Sequence, residues 1–203
     1  PYPHAALDLG GAPVFNTPLW MEWLAFGLSV SGAAAIFSLC AVSLFRRDFQ
    51  FFPPPEKRSW QYRTFWAFFR LFLYPLVALS ILVFEPAEDA GAMARQGVGG
   101  VLAVTGIGLA FWISIQMGWR NAFGEARGLV TDGWFRFSRN PIYVVTWLGL
   151  LGWAIILNDL RVTFLLSLWA AMYWLAPRIE EPWLERQYGD EYCAYKQRTR
   201  RFF

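Results

Sequence analysis

Apolar and polar stretches alternate along the chain in long blocks. Five apolar runs, roughly residues 18–45, 64–84, 97–117, 141–157 and 160–176, are separated by short polar, basic or proline-containing segments. A helix needs about 20 apolar residues to cross a bilayer, and it satisfies its own backbone polar groups there. The pattern therefore predicts an all-α integral membrane protein with about five transmembrane helices.

The last two runs differ from the first three in being short and closely joined. The dipeptide Asn158-Asp159 separates them, which predicts a tight antiparallel helix hairpin. Helices 1–3 then occupy residues 1–117, and residues 118–203 hold the hairpin and an amphipathic polar tail. Pro182 is a helix-starting signal inside that tail, and Gly189 is a helix-breaking one.

Lysine and arginine are distributed unevenly between the two sides of this predicted bundle. The segments 46–63, 118–140 and 177–203 hold five, four and six of them, whereas the opposite side has only Arg95 and Arg161. The positive-inside rule then places the N-terminus outside and the polar tail in the cytoplasm. We expect a bacterial inner membrane protein whose chemistry faces the cytoplasm.

Composition excludes several kinds of chemistry. The chain has a single histidine and two cysteines without a CxxC spacing, which argues against a metal site and against a histidine-based catalytic triad. The net charge of +3 comes from residues at the membrane boundaries, so nucleic-acid binding is not expected. The glycines between residues 97 and 108 lie inside an apolar run, which favours close helix packing over a nucleotide-binding loop.

Two polar segments on the basic side flank the hairpin and are candidates for chemistry. In the first, Asn140 and Pro141 are typical of a helix start, with the asparagine as N-cap, and Arg136 and Arg139 precede them. A helix N-terminus beside two arginines suits a carboxylate or a phosphate. The alternative is a capped membrane helix whose arginines lie among lipid headgroups.

The second segment begins with adjacent carboxylates, Glu180 and Glu181, at the end of the fifth apolar run. Two such groups close to lipid are costly unless they are paired or bind a cation. The alternative is an amphipathic tail on the membrane surface, in which Arg178 and Arg186 pair with the glutamates.

Together the two segments resemble a known family. The pattern G-x-F-R-x-x-R-N-P-x-Y at 133–143, followed by E-E-x-x-L-x-x-x-Y-G-x-x-Y-x-x-Y at 180–195, resembles the isoprenylcysteine carboxyl methyltransferase and phospholipid methyltransferase family. The resemblance covers roughly residues 116–201. Asn140 stands where the family usually has histidine, and Val145 where it usually has a small residue.

The resemblance implies S-adenosylmethionine as cofactor, bound within residues 118–203, and methyl transfer to a lipophilic or small acceptor that reaches the site from the bilayer. Arginines and the helix start suit the cofactor's carboxylate, Glu180 or Glu181 its ammonium or ribose, and tyrosines its adenine and sulfonium. The implied catalytic residues are Glu181 and Arg120, and Glu181→Gln is expected to abolish cofactor binding without lowering expression. The implied cofactor-binding residues are Arg136, Arg139, Asn140, Pro141, Tyr143, Glu180, Glu181, Leu184 and Tyr188.

Two other functions remain compatible with the sequence. A membrane reductase of the sterol-reductase type has a similar pattern near its end and uses NADPH. A membrane scaffold that keeps the fold without the chemistry is the other alternative, and the asparagine at position 140 is its main support.

Overall fold

The computed structural model describes residues 18–46, 49–54, 56, 59–118, 121 and 128–203. Five α-helices make up most of this part of the chain: α1 (Leu19–Phe45), α2 (Trp60–Leu82), α3 (Ala90–Met117), α4 (Pro141–Leu157) and α5 (Leu160–Arg198). A short 3₁₀ helix, Gly133–Arg136, precedes α4. No strand occurs within the described ranges.

Four of these helices, α1, α2, α3 and α5, are long and apolar enough to cross a membrane. The fifth, α4, has 17 residues and is equally apolar but shorter. At 1.5 Å per residue it measures about 25 Å, slightly less than the hydrocarbon thickness. The predicted all-α integral membrane class is confirmed.

Helices α2 and α3 begin four and seven residues before the apolar runs that predicted them, at Trp60 and Ala90. Their starts are fixed by polar caps. Ser59 Oγ accepts a hydrogen bond from the Tyr62 amide, and Asp89 Oδ1 accepts one from the Ala92 amide. Caps of this kind let a helix begin in a polar stretch, so hydropathy alone places its start too late.

Glycines bring α3 and α4 into close contact along most of α4. Gly99 and Gly106 of α3 face Gly152 and Gly149 of α4, and a Cβ at Gly99 would lie 2.8 Å from the carbonyl oxygen of Gly152. The prediction that the glycines of this stretch serve helix packing is confirmed for Gly99 and Gly106. A Cβ would meet nothing within 4 Å at the others, Gly97, Gly100 and Gly108.

The turn between α4 and α5 lies at the predicted position. Asn158 adopts a left-handed conformation with φ 50°, and Asp159 caps α5 by accepting hydrogen bonds from the amides of Arg161 and Val162. Arg95 of α3 contacts the chain just before this turn. Its guanidinium donates hydrogen bonds to the carbonyls of Ile155 and Ile156 at the end of α4.

Helix α5 is longer than the sequence predicts. The stretch before the break at Gly189, residues 160–188, is about 44 Å long, which exceeds the hydrocarbon thickness, so we assign only its apolar part, residues 160–176, to the membrane. Pro182 does not start a new helix: both Pro177 and Pro182 lie inside α5. The predicted break at Gly189 is confirmed, with φ 54° and ψ −129°. Tertiary contacts on either side of the prolines keep the helix continuous despite the lost amide donors.

Candidate active site

A cavity of about 320 Å³ lies at the end of the bundle where α2 and α4 begin and where α5 becomes polar. It draws residues from both predicted parts of the chain. The segment 52–54 and the first turns of α2 form one wall, and residues 128–130 and the start of α4 form another. The polar half of α5 closes the third side. Ser114 and Met117 at the end of α3 also line the cavity, which is therefore assembled from four separate stretches of sequence: 52–69, the end of α3, 128–143 and 173–195.

Eight of the nine predicted cofactor-binding residues line this cavity: Arg139, Asn140, Pro141, Tyr143, Glu180, Glu181, Leu184 and Tyr188. The ninth, Arg136, does not. Its side chain is exposed, and its guanidinium carbon lies 5.6 Å from the centre of the Phe137 ring. The predicted catalytic residue Arg120 lies outside the described residues.

Glu180 is the carboxylate that the structure leaves available to the cavity. Its Oε1 accepts a hydrogen bond of 2.8 Å from the Tyr143 hydroxyl, and no ion-pair partner for it occurs in the described part of the chain. Burial raises the pKa of Glu180 to about 7; the hydrogen bond from Tyr143 opposes this rise, and the charge of Glu181 adds to it. A cation in the cavity would favour the ionised form of this group.

Glu181 has different surroundings although it is the next residue. Its Oε1 accepts 2.8 Å hydrogen bonds from Arg139 Nη2 and Arg201 Nε, and its Oε2 accepts one of 2.6 Å from Arg201 Nη2. Burial alone would raise the pKa of Glu181, but the hydrogen bonds from Arg201 and Arg139 outweigh it and lower the pKa. Glu181 is thus a buried ionised group with both oxygens in use.

The hydrogen bonds at the start of α4 differ from the prediction. Asn140 is at the N-cap position and Pro141 follows it, but the Asn140 side chain makes no capping hydrogen bond. Its Nδ2 donates instead to the carbonyl of Arg201 at 3.0 Å. The predicted helix start and N-cap position are confirmed, but the capping hydrogen bond is absent because the Asn140 side chain binds a residue about 60 positions away, which no local pattern reveals.

Arg139 is buried and mostly engaged by the protein itself. Its Nη1 donates to the carbonyls of Lys196 and Thr199, and its Nη2 to Glu181. The Nε of Arg139 is buried and has no hydrogen-bond partner in the described structure. An orphaned buried donor is costly, so Arg139 keeps this conformation at some expense, which its three hydrogen bonds and its ion pair with Glu181 offset.

Aromatic side chains that the sequence analysis did not select form the rest of the wall. Tyr62, Phe65, Trp66 and Phe69 of α2 line the cavity, and Tyr173 of α5 packs on Tyr143 with 4.5 Å between ring centres. The three- and four-residue spacing of the α2 aromatics indicates a shared helix face. That spacing was the available signal, but it is equally typical of a membrane helix surface.

A second, smaller cavity of about 50 Å³ adjoins the first between α1, α2 and α5. Its lining is almost entirely apolar and includes Ile36, Cys40 and Met172. The two cavities share wall residues, among them Phe65 and Tyr143. The aromatic wall thus separates the cavity that holds the carboxylates from one that is almost entirely apolar.

Comparison with known proteins finds a family match in the middle of the chain. Residues 94–191 match the sequence model of a family described as phospholipid methyltransferase. The matched stretch is just under half of the chain, and over it the chain is similar to the phospholipid methyltransferase family. The match includes the glycine face of α3, the 133–143 segment, and the carboxylates of α5, so the resemblance drawn from the two motifs is confirmed. The long apolar helices indicate an integral membrane protein, and the match points to membrane methyltransferases as proteins similar to it.

The chain is also similar to the cobalt-zinc-cadmium resistance protein CzcN of Cupriavidus metallidurans. The two are 33% identical over 107 residues, which is 50% of this chain and 47% of that protein. The chain therefore aligns with about half the length of this curated relative. No solved structure matches the chain.

Proposed function

We propose that this protein is an S-adenosylmethionine-dependent methyltransferase that methylates a lipophilic acceptor at the cytoplasmic face of a bacterial inner membrane. The main support is the convergence of two distant family motifs on one cavity. Its volume lies near the lower end of the range usual for small-molecule sites.

The chemistry of the lining fits the cofactor. S-adenosylmethionine supplies an activated methyl group on a sulfonium, and it carries an ammonium, a carboxylate and an adenosine. Glu180 suits the ammonium, because it is a carboxylate without a cationic partner among the described residues. Arg139, the cation among the described residues that line the cavity, suits the carboxylate. Tyr62, Trp66 and Tyr188 offer aromatic faces for the adenine and for positive charge.

The apolar cavity beside the aromatic wall supports a lipophilic acceptor. An isoprenylcysteine-like carboxylate would attack without a base, whereas a protonated phospholipid-type amine must first lose a proton. If Glu180 pairs with the cofactor's ammonium, and because both oxygens of Glu181 are held by arginines, neither carboxylate is free to take that proton, which favours a carboxylate acceptor. Positioning and exclusion of water would supply much of the rate in either case.

Binding of S-adenosylmethionine to the detergent-purified protein, measured by calorimetry, tests this proposal. We expect micromolar binding, no binding of NADPH, and loss of binding in Glu180→Gln. Glu191→Gln is the matched control, because Glu191 is an exposed carboxylate of α5 outside the cavity. Binding of NADPH but not of S-adenosylmethionine would contradict the proposal and indicate a reductase. Binding of neither ligand would favour a membrane scaffold without enzymatic activity.

Once binding is established, the acceptor class is open to a direct screen. Membrane extracts and defined prenylcysteine and aminophospholipid acceptors would be incubated with labelled S-adenosylmethionine. We expect label in a lipid-extractable product. Label confined to water-soluble products would contradict a lipophilic acceptor.

A further inference from the structure

Residues 199–203, here called the 199–203 strap, leave the end of α5 and cross the first turn of α4. The Arg139 amide donates to the carbonyl of Arg200 at 2.9 Å, and Arg139 Nη1 donates to the carbonyl of Thr199 at 2.8 Å. Phe202 packs on Trp147 of α4, with 4.9 Å between ring centres. The strap is therefore tied to the cavity wall through both backbone and side chains.

Arg201 connects the strap to the carboxylate pair. Its guanidinium makes a two-pronged contact with Glu181, which in turn is bound to Arg139. Both Glu181 and Arg139 line the cavity, but Arg201 does not. Without Arg201, Glu181 would lose one of two cations and gain freedom to turn toward the cavity, where Glu180 already lies.

The carbonyl of Arg201 is held just as specifically as its side chain. It accepts hydrogen bonds from Asn140 Nδ2 at 3.0 Å and from Ser138 Oγ at 3.2 Å. The Asn140 amide is therefore oriented by the strap instead of by the helix it precedes. A residue at position 140 fulfils this role if it offers an N–H donor at that point, which asparagine and histidine do and alanine does not.

We infer that Asn140 and Arg201 are positioning residues that act as one unit, holding the 199–203 strap so that Glu181 and Arg139 stay paired and Glu180 alone meets the ligand. This inference rests on the proposed function for the identity of the ligand. Arg201 lies beyond residues 94–191, the part of the chain that the family match covers.

A double-mutant cycle tests the inference, with Asn140→Ala, Arg201→Gln and both together. We expect each single variant to weaken S-adenosylmethionine binding about tenfold, because either change releases the strap and with it the Glu181–Arg139 pair in the cavity wall. The double variant should be scarcely weaker than either single one, because both changes release the same strap. Asn140→His should restore most of the affinity. Arg200→Gln is the matched control, since its side chain is exposed on the same strap.

Hydrogen exchange of residues 139–147 and 196–203 provides a readout that needs no cofactor. We expect faster exchange in both segments for Asn140→Ala and for Arg201→Gln, and unchanged exchange for Arg200→Gln. Additive losses of affinity, or unchanged exchange in either strap variant, would overturn the inference. If the unmodified protein binds no S-adenosylmethionine while the exchange result holds, the proposed function fails and the strap's role in building the cavity stands.

Discussion

The adjacent glutamates show how one residue step changes a side chain's role. Successive residues on a helix point about 100° apart, so Glu180 faces Tyr143 while Glu181 faces Arg139 and Arg201. From the sequence, either glutamate could bind the ligand, and Glu181 was the predicted catalytic residue. The contacts favour Glu180 for the ligand and give Glu181 a role in holding the wall together.

The raised pKa of Glu180 predicts how ligand binding depends on pH. The group is ionised above about pH 7 and neutral below it, and only the ionised form attracts an ammonium. Affinity for S-adenosylmethionine should therefore fall on the order of tenfold between pH 7 and pH 5.5. Calorimetry across this range would measure the change. Glu180→Gln should show weak binding without this slope, and an equal slope in that variant would assign the titration to another group.

Removal of Glu181 should destabilise the protein as well as weaken ligand binding. Glu181→Ala leaves Arg139 buried without its counter-ion, a loss of about 3–5 kcal/mol for a buried pair. Thermal unfolding in detergent would measure it. Glu185→Ala is the control, because Glu185 pairs with Lys196 where both are roughly 40% exposed, and such pairs contribute about 1 kcal/mol or less. Equal losses in the two variants would contradict the role assigned to Glu181.

At the scale of elements, the glycine contact between α3 and α4 positions the start of α4 and with it the motif. Helices in lipid gain little from apolar burial against each other, so close approach of small residues is a main source of their association. Gly106 and Gly149 provide that approach near the middle of the membrane. Displacing α4 at this contact would also displace Asn140 and Tyr143.

Two glycines that lie two residues apart on α3, and so on different faces of the helix, test this point. A Cβ at Gly106 would collide with the backbone of α4, whereas one at Gly108 would meet nothing within 4 Å. We expect Gly106→Ala to lower the free energy of unfolding by about 1–3 kcal/mol, as overpacking does. Gly108→Ala should be neutral or slightly stabilising, because alanine favours helix. Similar unfolding temperatures for both variants would show that this contact is not close in the membrane.

At the scale of the whole molecule, the arginines on the two sides of the bundle differ in their pairing and exposure. On the side away from the cavity, Arg95 binds the end of α4, and Arg161 pairs with Glu22 and Asp159. On the cavity side, Arg136, Arg198 and Arg200 are exposed. The exposed cations thus gather on the side that the positive-inside rule places in the cytoplasm.

Cysteine labelling tests this orientation with the native residues. Cys193 is exposed on the cavity side and Cys40 is buried between helices. A membrane-impermeant maleimide should label Cys193 in inverted membrane vesicles and leave it unlabelled in intact bacterial cells. A Glu88→Cys, Cys193→Ser variant should show the reverse, because Glu88 is exposed on the opposite side. Labelling of Cys193 in intact cells would show that the protein has the opposite topology.

The sequence by itself determined the membrane spans, the turn at Asn158-Asp159, the helix-packing glycines, and the two motifs that meet at the cavity. These features follow from hydropathy, residue size and local turn chemistry, which act over a few residues and can be read along the chain. The same local rules failed at Pro182 and at the Asn140 cap. In both cases, contacts with distant segments outweighed the local preference.

Only the tertiary structure decided which glutamate meets the cavity, why Arg136 points away from it, and how the aromatic face of α2 and the 199–203 strap complete its walls. Each of these depends on partners that are distant in sequence, such as Arg201 for Glu181 and Asn140. The direction of a side chain follows from its helix, but its partner follows from how the helices are packed. The pattern of residues therefore specifies the elements, and the packing assigns each charged group its role.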